Sequence, residues 1–546
     1  MLDPMPDALS LLSAPLIEAA SRLGAPDLDA VLERPSDPDH GDYATTLALR
    51  LAKPLGRAPR EIAEEIASAA RASEWIESSE VAGPGFVNVR VSPAWYAEAV
   101  RQAREAGYGG GTASEPMRVN VEYVSANPTG PLPVSAGRNA AYGDSLARLG
   151  RNAAYGDSLA RLFAFAGHEV VREYYFNDAG SQIERFGLSL RARARGEPVP
   201  EDGYQGDWLI GLAQQTGLPP DATAEEFGRA GVELMFAAIR TTLERFRVKM
   251  DVYTNEADLH HSGGVERALE RARAAGHVFE EEGATWLRAS AFGDDKDRVL
   301  VKADGEATYF AGDLAYLVDK LERGFDLALY VLGADHHGYS ARLRAASEAL
   351  GYDPSRIEIA IYQMVHLIED GEQKRMSKRR GDVVLLDELM DGIGVDAARF
   401  YLVQRSHDAT IDIDLAQAVE QGPENPVYYV QYAHARICSI LRRAGGMAAA
   451  APDAATLPEP SEAALVRALV DFPDACRAAV ELRAPHRIVA YARDLASAFS
   501  AFYRDCPVLD AETPERRSSR LALCDATRQV LARALDLVGV SAPEEM

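Results

Sequence analysis

The sequence predicts an α/β protein with a doubly wound parallel sheet at its centre and an all-α part at its C-terminal end. Between residues 116 and 390, several apolar strand candidates alternate with helical stretches, which is typical of parallel strands joined by helical crossovers. From about residue 391 onward, helical periodicity dominates and no convincing strand is predicted. At 546 residues, the chain is expected to form roughly two to four domains.

The N-terminal part is predicted to be a small α/β module. Residues 8–24 and 60–72 have the apolar periodicity of amphipathic helices, and residues 85–91, GFVNVRV, form a short strand pattern. The glycine-rich stretch 107–116 then indicates a linker. We therefore expect three domains, with the second carrying an insertion; they are residues 1–110, 116–390 and 391–546.

The composition argues against a membrane protein, an exported protein and a protein that coats nucleic acid. Hydrophobic residues make up 47% of the chain, yet no apolar run approaches the roughly 20 residues of a membrane span, and the acidic N-terminus does not resemble an export signal. The four cysteines match no zinc or redox spacing, which favours free thiols and a cytoplasmic location. A net charge of −25 argues against a protein that binds nucleic acid over its whole surface, but it permits binding through a local basic patch.

Four strand candidates organise the central part; they are residues 117–126, 168–176, 325–333 and 356–367. The first ends in VEYVSANPTGPLPVSAGR (121–138), which places Glu122 and Asn127 at a strand–loop–helix junction. In such sheets ligands bind at the carboxyl ends of the strands, where a helix N-terminus offers free N–H groups to phosphate. A surface loop with an Asn-Pro turn is the alternative.

Three further motifs carry candidate chemistry. A basic loop, KRMSKRR (374–380), can clamp a polyphosphate, or it can be a solvated charge run. Tyr309 and Asp313 are four residues apart, so in a helix they share a face that suits a guanidinium, or they form a buried hydrogen bond. LGADHHGY (332–339) follows an apolar strand and suits nucleotide contact or a helix cap better than a metal site, because adjacent histidines do not easily share one ion.

The order and spacing of these motifs resemble the arginyl-tRNA synthetases of the bacterial, class I type, over nearly the whole chain. The matching stretches are GDYATTLALRLAK, AGPGFVNV, VEYVSANPTGPL, REYYFNDAGSQI, TYFAGDLAY, LGADHHGY, RMSKRRGD, GVDAARFYLVQRS and NPVYYVQYAHARI. The resemblance implies a Rossmann-type catalytic domain, a tRNA-contacting N-terminal domain and a helical anticodon-binding domain. It also implies a monomer that uses ATP, with Mg²⁺, to activate L-arginine as arginyl-adenylate and to transfer it to tRNA(Arg).

The resemblance assigns roles to individual residues. Those implied to bind arginine are Glu122, Asn127, Tyr309 and Asp313. Those implied to bind ATP are Pro128, Gly137, Arg138, Gly333, Asp335, His336, His337 and Met376. Those implied to act in catalysis, with Lys378 stabilising the pyrophosphate leaving group, are Arg375, Ser377 and Lys378. Those implied to contact the anticodon are Tyr428, Tyr432 and Arg436. No metal-ligand motif is implied.

The sequence departs from the family at its first signature, N-P-x-x-P-x-H-x-G-H-x-R. Asn127, Pro128, Pro131 and Arg138 stand at the right offsets, but Pro133, Ser135 and Ala136 replace the two histidines and the glycine between them. Those histidines would donate hydrogen bonds to the ATP phosphates. Removing one such donor costs on the order of 10²–10³ in rate, so we expect adenylate formation to be severely impaired.

A tandem duplication follows directly. GRNAAYGDSLARL occupies residues 137–149 and again 150–162, whereas the family has room for one copy. Two copies are too few and too short for a repeat fold. As helix, the extra copy adds ~20 Å and about 3.6 turns, so we expect either an overshooting helix or an extruded copy. A local aberration is favoured over a functional insertion such as a lid.

The sequence therefore predicts an arginine–tRNA ligase. A synthetase-like protein that binds tRNA or arginine without efficient ligation is the alternative that the altered signature suggests. A different class I nucleotidyl transferase is less favoured, because Tyr309, Asp313 and the C-terminal helices point to arginine and tRNA.

Overall fold

A computed structural model describes residues 7–24, 31–129, 146–178, 180–373, 385–446 and 459–546, with the side chains of residues 38, 146–148, 335 and 337 outside that description. The N-terminal part forms a small antiparallel sheet in the order β1-β3-β2, covered by helices. Its elements are α1 (Ala8–Arg22), β1 (Tyr43–Thr45), α2 (Leu47–Leu55), α3 (Pro59–Ala70), β2 (Ile76–Ala82), β3 (Phe86–Val91) and α4 (Pro93–Ala103). The predicted α/β module is confirmed, including both helices and the strand at Phe86–Val91.

The central part contains further strands and helices. The strands are β4 (Arg118–Glu122), β5 (Glu169–Phe176), β6 (Val252–Asn255), β7 (Val278–Glu281), β8 (Ala284–Leu287), β9 (Arg298–Val301), β10 (Leu327–Gly333), β11 (Ile357–Tyr362), β12 (Val365–Glu369), β13 (Glu372–Gln373) and β14 (Ile411–Asp414). The helices are α5 (Leu146–Ala166), α6 (Ser181–Ala194), α7 (Trp208–Gln215), α8 (Ala224–Arg245), α9 (Glu256–His261), α10 (Gly264–Ala274), α11 (Tyr309–Glu322), α12 (His337–Ala349), α13 (Leu386–Ile393), α14 (Val395–Val403) and α15 (Leu415–Val419).

The central sheet is parallel and has the order β11-β10-β4-β5-β6. The chain moves outward from β4 to β6 on one side and then returns to build β10 and β11 on the other. The strand order therefore reverses between β4 and β10, and a crevice opens there at the carboxyl edge. This topology confirms the predicted doubly wound sheet and makes the β4–β10 boundary the expected ligand site.

Two expectations about strands are wrong. The apolar run 356–367 is two strands, because the chain leaves the central sheet after β11 and β12 pairs with β13 and β14 instead. Strand β14 (Ile411–Asp414) lies in the part expected to have no strand. Ile411 and Ile413 are buried while Asp412 and Asp414 are exposed. This alternation of apolar and polar residues is typical of a half-buried strand and is visible in the sequence.

The C-terminal part is helical, as predicted. Its helices are α16 (Pro426–Arg443), α17 (Pro460–Val470), α18 (Phe472–Glu481), α19 (His486–Asp505) and α20 (Pro514–Leu537). All four cysteines are buried and unbridged within these helices and the turn after α19. No helix in the described ranges is long and apolar enough to cross a membrane.

Helix α5 shows which copy of the doubled segment packs against the sheet. It contains the last four residues of the first copy and the whole of the second, so the helix continues across the junction between them. The second copy is deeply buried: Leu159 and Ala160, for example, have no exposed surface. Residues 130–145, which hold the rest of the first copy, lie outside the described residues.

Buried polar residues of the second copy also have hydrogen-bond partners elsewhere in the fold. The Arg151 guanidinium is fully buried and donates to the carbonyl oxygens of Gln363, Ser406 and Ala409 at 2.7–2.8 Å. Asp157 accepts at 2.6 Å from the buried Arg399 guanidinium. Because a buried charge is tolerated only with such partners, the second copy occupies the position that the fold provides for this helix.

Gly156 of the second copy gives a test of this assignment. A Cβ atom there would lie 2.3 Å from Cγ of Tyr123, so Gly156→Ala is expected to lower the free energy of unfolding by about 1–3 kcal/mol through overpacking. The matched control is Gly143→Ala, the same change in the first copy. Denaturant titration of both variants checks the prediction, and an equal loss in the two would contradict it.

Candidate active site

The crevice between β4 and β10 begins with a buried ion pair. Glu122, the last residue of β4, is paired with the ammonium group of Lys320 and accepts at 2.9 Å from the Ser125 hydroxyl. Lys320 lies on α11 and is fully buried, with its Nζ 3.9 Å from the centre of the Tyr330 ring. Glu122 is thus held in one orientation at the carboxyl edge of the sheet.

Asn127 is part of the loop that leaves β4. Its Oδ1 accepts at 3.0 Å from the backbone N–H of Asn177, and its amide nitrogen donates at 3.1 Å to Gln182. These contacts join the loop to the chain that follows β5. Pro128, the next residue in the loop, is buried.

Helix α11 brings Tyr309 and Asp313 to the same cleft. Tyr309 is the first residue of the helix and is 56% exposed, whereas the Asp313 carboxylate lies one turn deeper. Burial raises the pKa of Asp313 to about 7, even though the Tyr339 hydroxyl donates a hydrogen bond to it. The two side chains therefore differ in kind: an accessible phenol at the rim and a desolvated carboxyl inside.

A second desolvated carboxyl, on Glu256, faces the same cleft. Glu256 begins α9 and is 7% exposed, and Tyr175 donates a hydrogen bond to it. A Cβ atom on Gly312 would lie 2.8 Å from Glu256 Oε1, so the glycine before Asp313 permits this close approach. Burial raises the pKa of Glu256, and the charge of Glu256 adds to the rise in the pKa of Asp313. Burial also raises the pKa of Tyr175, and both carboxylates add to that rise.

The predicted nucleotide residues follow β10. Gly333 is the buried last residue of that strand, and the next residues turn through a short 3-10 helix into α12. His336 is exposed, with its ring centre 6.1 Å from that of Tyr339. The backbone of Asp335 and His337 lies in this turn, at the carboxyl edge that the topology favours.

Several predicted site residues lie outside the described residues. They are Gly137 and Arg138 of the first copy, and Arg375, Met376, Ser377 and Lys378 of the basic loop. Their roles stay predictions.

The predicted anticodon residues share one partly exposed strip on α16, on which Tyr428 and Arg436 are half-buried and Tyr432 is exposed. The rings of Tyr428 and Tyr432 are stacked, with centres 5.7 Å apart and planes 11° from parallel. Arg436 donates at 2.6 Å to the Tyr432 hydroxyl, and its guanidinium carbon lies 5.0 Å from the centre of the Tyr503 ring. Partly exposed rings beside a guanidinium form the kind of surface on which unpaired bases stack.

Sequence reasoning missed four residues of the cleft: Tyr175, Glu256, Lys320 and Tyr339. Tyr339 is the last residue of the LGADHHGY motif, and Tyr175 lies near the end of the predicted strand 168–176, so the position of each in the sequence was a signal. Glu256 had a weaker one, since it follows a strand of four residues, β6, that sequence reasoning did not predict. No group of three or more His, Cys, Asp or Glu suited to a metal ion occurs among the described residues.

Comparison with known families agrees with this geometry. Residues 10–91 match the family described as arginyl tRNA synthetase N terminal domain. Residues 221–437 match the class I tRNA synthetase (R) catalytic domain, and residues 430–546 match the DALR anticodon binding domain. The catalytic match thus begins after the doubled segment.

Solved structures resemble the whole chain. A Campylobacter jejuni structure described as an arginyl-tRNA synthetase is 31% identical, with a TM-score of 0.75 over 83% of this chain and 100% of that one. The Thermus thermophilus arginyl-tRNA synthetase is 27% identical, with a TM-score of 0.76 over 98% of this chain and 99% of that one. The Plasmodium falciparum enzyme, at 17% identity and a TM-score of 0.72 over 99% of both chains, shares the fold. The chain therefore belongs to the arginyl-tRNA synthetases, the class I ligases that use ATP to join arginine to tRNA.

Proposed function

We propose that this chain binds L-arginine with its guanidinium group between Asp313 and Glu256. The observation that carries the proposal is the pair of desolvated carboxylates, each with a raised pKa, at one cleft. Two desolvated carboxylates close together are unfavourable, and a planar cation with several N–H donors can pair with both at once. Tyr309 at the rim offers an aromatic face to the same cation.

The opposite end of arginine is assigned to the β4 edge. Glu122 and Asn127 stand where strand β4 ends, and Glu122 is held there by Lys320 and Ser125. A carboxylate in this place suits the α-ammonium group of an amino acid. The carboxylate of the substrate would then point to the crevice beside Gly333, where the α-phosphate of ATP has to lie for adenylate formation.

ATP is assigned to the same crevice. The residues proposed to contact it are Pro128, Gly333, Asp335, His336, His337 and Met376. Mg²⁺ would arrive with the phosphates, as their counter-ion. Lys378, with Arg375 and Ser377, would neutralise the charge that develops on pyrophosphate as it leaves.

The tRNA is assigned to both ends of the chain. The strip formed by Tyr428, Tyr432 and Arg436 supports contact with anticodon bases through stacking. The N-terminal sheet is assigned to the body of tRNA(Arg), as the family implies. We place the protein in the cytoplasm as a monomer, and four unbridged buried cysteines agree with a reducing compartment.

We further propose that ligation by this chain is impaired at its first step. The packed helix is the second copy, and its Arg151 fills the buried position that we assign to the final arginine of the signature. The four residues directly before the packed copy are Leu146, Ala147, Arg148 and Leu149, none of which is histidine. Neither copy is therefore preceded by the two histidine donors that the family uses.

Two measurements separate binding from ligation. Calorimetric titration is expected to show binding of L-arginine but not of citrulline, which has the same shape without the charge. Pyrophosphate exchange with ATP, arginine and tRNA(Arg) is expected to be far below that of a histidine-containing family member. Equal affinity for arginine and citrulline would exclude the guanidinium site, and a normal exchange rate would exclude the impairment.

The raised pKa of Asp313 gives the arginine affinity a pH dependence. With a pKa of about 7, Asp313 is mostly protonated at pH 6 and mostly ionised at pH 8, and only the ionised form attracts a guanidinium. Proton competition at one such group predicts a Kd about tenfold higher at pH 6 than at pH 8. Titrations across this range check it, and a flat profile would contradict the assignment of Asp313 to the binding cleft.

A further inference from the structure

The loop that follows β4 is held in an unusual backbone conformation. Val124 has φ of 69° and Ser125 has φ of 42°, both in the left-handed region. A β-branched residue such as valine rarely adopts it, so the surroundings must enforce this shape. Because Ser125 donates to Glu122 and Asn127 follows two residues later, the shape of this loop determines where the proposed arginine contacts lie.

The side-chain amide of Asn152 restrains Val124 from outside the loop, in addition to the local bond from the Ser125 N–H to the Tyr123 carbonyl at 3.0 Å. Its Oδ1 accepts at 2.8 Å from the backbone N–H of Val124, and its Nδ2 donates at 3.0 Å to the carbonyl oxygen of Val331. Val331 belongs to β10, so this one side chain, 3% exposed, connects the loop that follows β4 to the neighbouring strand β10. Tyr174 supports the far end of the loop by bonding both backbone groups of Ala126.

The asparagine that bonds to Val124 occurs twice in the sequence, once in each copy of the doubled segment. Asn139 has the same neighbours in sequence as Asn152, because the two copies are identical. Within the described residues, Asn152 lies in the copy whose Arg151, Gly156 and Asp157 pack against the rest of the fold, whereas Asn139 lies outside those residues. The two asparagines therefore form a matched pair for comparison, because they are the same residue in the same local sequence and Asn152 bonds to the loop after β4.

We propose that Asn152, and not Asn139, is a positioning residue for the arginine site, acting by holding Val124 in its left-handed conformation. This inference rests on the proposed arginine site. Without the amide, the Val124 N–H and the Val331 carbonyl lose their shared partner, and the loop relaxes to a more common conformation. Glu122 and Asn127 then move away from their places, while the guanidinium end of the cleft, built from α9 and α11, is unaffected.

The test compares Asn152→Ala with Asn139→Ala in the full chain, using calorimetric Kd values for L-arginine. Asn152→Ala is expected to weaken binding on the order of tenfold, and Asn139→Ala less than twofold. Leu159→Ala, about 10 Å further along the same helix, controls for destabilisation. It is expected to lower the midpoint of thermal unfolding while leaving the Kd for arginine within twofold of the parent.

The outcomes are distinct. A Kd for Asn152→Ala within twofold of the parent would overturn the positioning role, and equal losses in both asparagine variants would overturn the assignment to the second copy. If Leu159→Ala weakened arginine binding as much as Asn152→Ala, the loss would reflect general destabilisation, and the positioning role of Asn152 would be overturned. A parent that bound no arginine would instead overturn the proposed arginine site, and this role with it.

Discussion

Replacing Asp313 by asparagine is expected to weaken the binding of L-arginine by a factor of about 10²–10³. Removing one partner of a buried charge pair costs about 3–5 kcal/mol, and each 1.4 kcal/mol is a tenfold change in Kd. Asparagine has nearly the same shape and can still accept the hydrogen bond from Tyr339. The loss is therefore assigned to the charge and not to a cavity.

The stability of the same variant is expected to move in the opposite direction. The ordinary pKa of an aspartate is 3.8 and burial raises that of Asp313 to about 7, so the unfolded chain gives up this proton at lower pH than the folded one. At pH 8 the folded protein therefore carries an ionised, desolvated carboxylate, which destabilises it. Asp313→Asn removes this cost and is expected to unfold at an equal or higher temperature at pH 8.

Asp319 provides the matched control. It lies on the same helix, α11, and its carboxylate is paired at 3.1 Å with Arg323, away from the cleft. Asp319→Asn is expected to leave the Kd for arginine within about twofold, since this partly exposed pair makes no contact with the proposed arginine site. The prediction would be contradicted by similar Kd changes in the two variants, or by a loss of arginine binding that tracks a loss of thermal stability in Asp313→Asn.

The parts of the site that could be predicted are those tied to the ends of strands. Glu122 ends the alternating strand β4 and Gly333 ends the apolar strand β10, so their meeting at one edge follows from parallel topology. Tyr309 and Asp313 could be placed together because a helix brings residues four apart to one face. In each case a pattern within a short stretch of sequence predicted the position of the residue.

The parts that could not be predicted depend on contacts between distant segments. Glu256 reaches the cleft because Gly312 lets α9 approach α11, and nothing in the sequence near either residue indicates that approach. The choice between the two copies of the doubled segment is a stronger example. Their sequences are the same, so only the surroundings, such as the residues that follow Leu162, can distinguish them. Phe163, which follows the second copy, is fully buried and would be lost from its place if the first copy packed instead.

Restoring the signature is expected to have the largest effect on catalysis. The full variant combines Pro133→His, Ser135→Gly and Ala136→His with removal of one copy of the doubled segment. Removing residues 137–149 or 150–162 yields the same chain, because the copies are identical and adjacent. Pyrophosphate exchange with ATP, arginine and tRNA(Arg) is expected to rise by at least about 10²–10³, the effect typical of regaining a phosphate or oxyanion donor.

Neither half of this change is expected to be sufficient by itself. With the histidines restored but both copies present, the helix packed on the sheet is still the second copy, and 13 additional residues separate it from the signature. With one copy removed but no histidines, Arg138 stands at the start of the packed helix while the phosphate donors are still missing. The effects should therefore be strongly non-additive, as is common for groups that act as a unit. If the histidines alone restored exchange, the first copy would have to be the one that packs, and the assignment of Arg151 and Asn152 to the fold would be wrong.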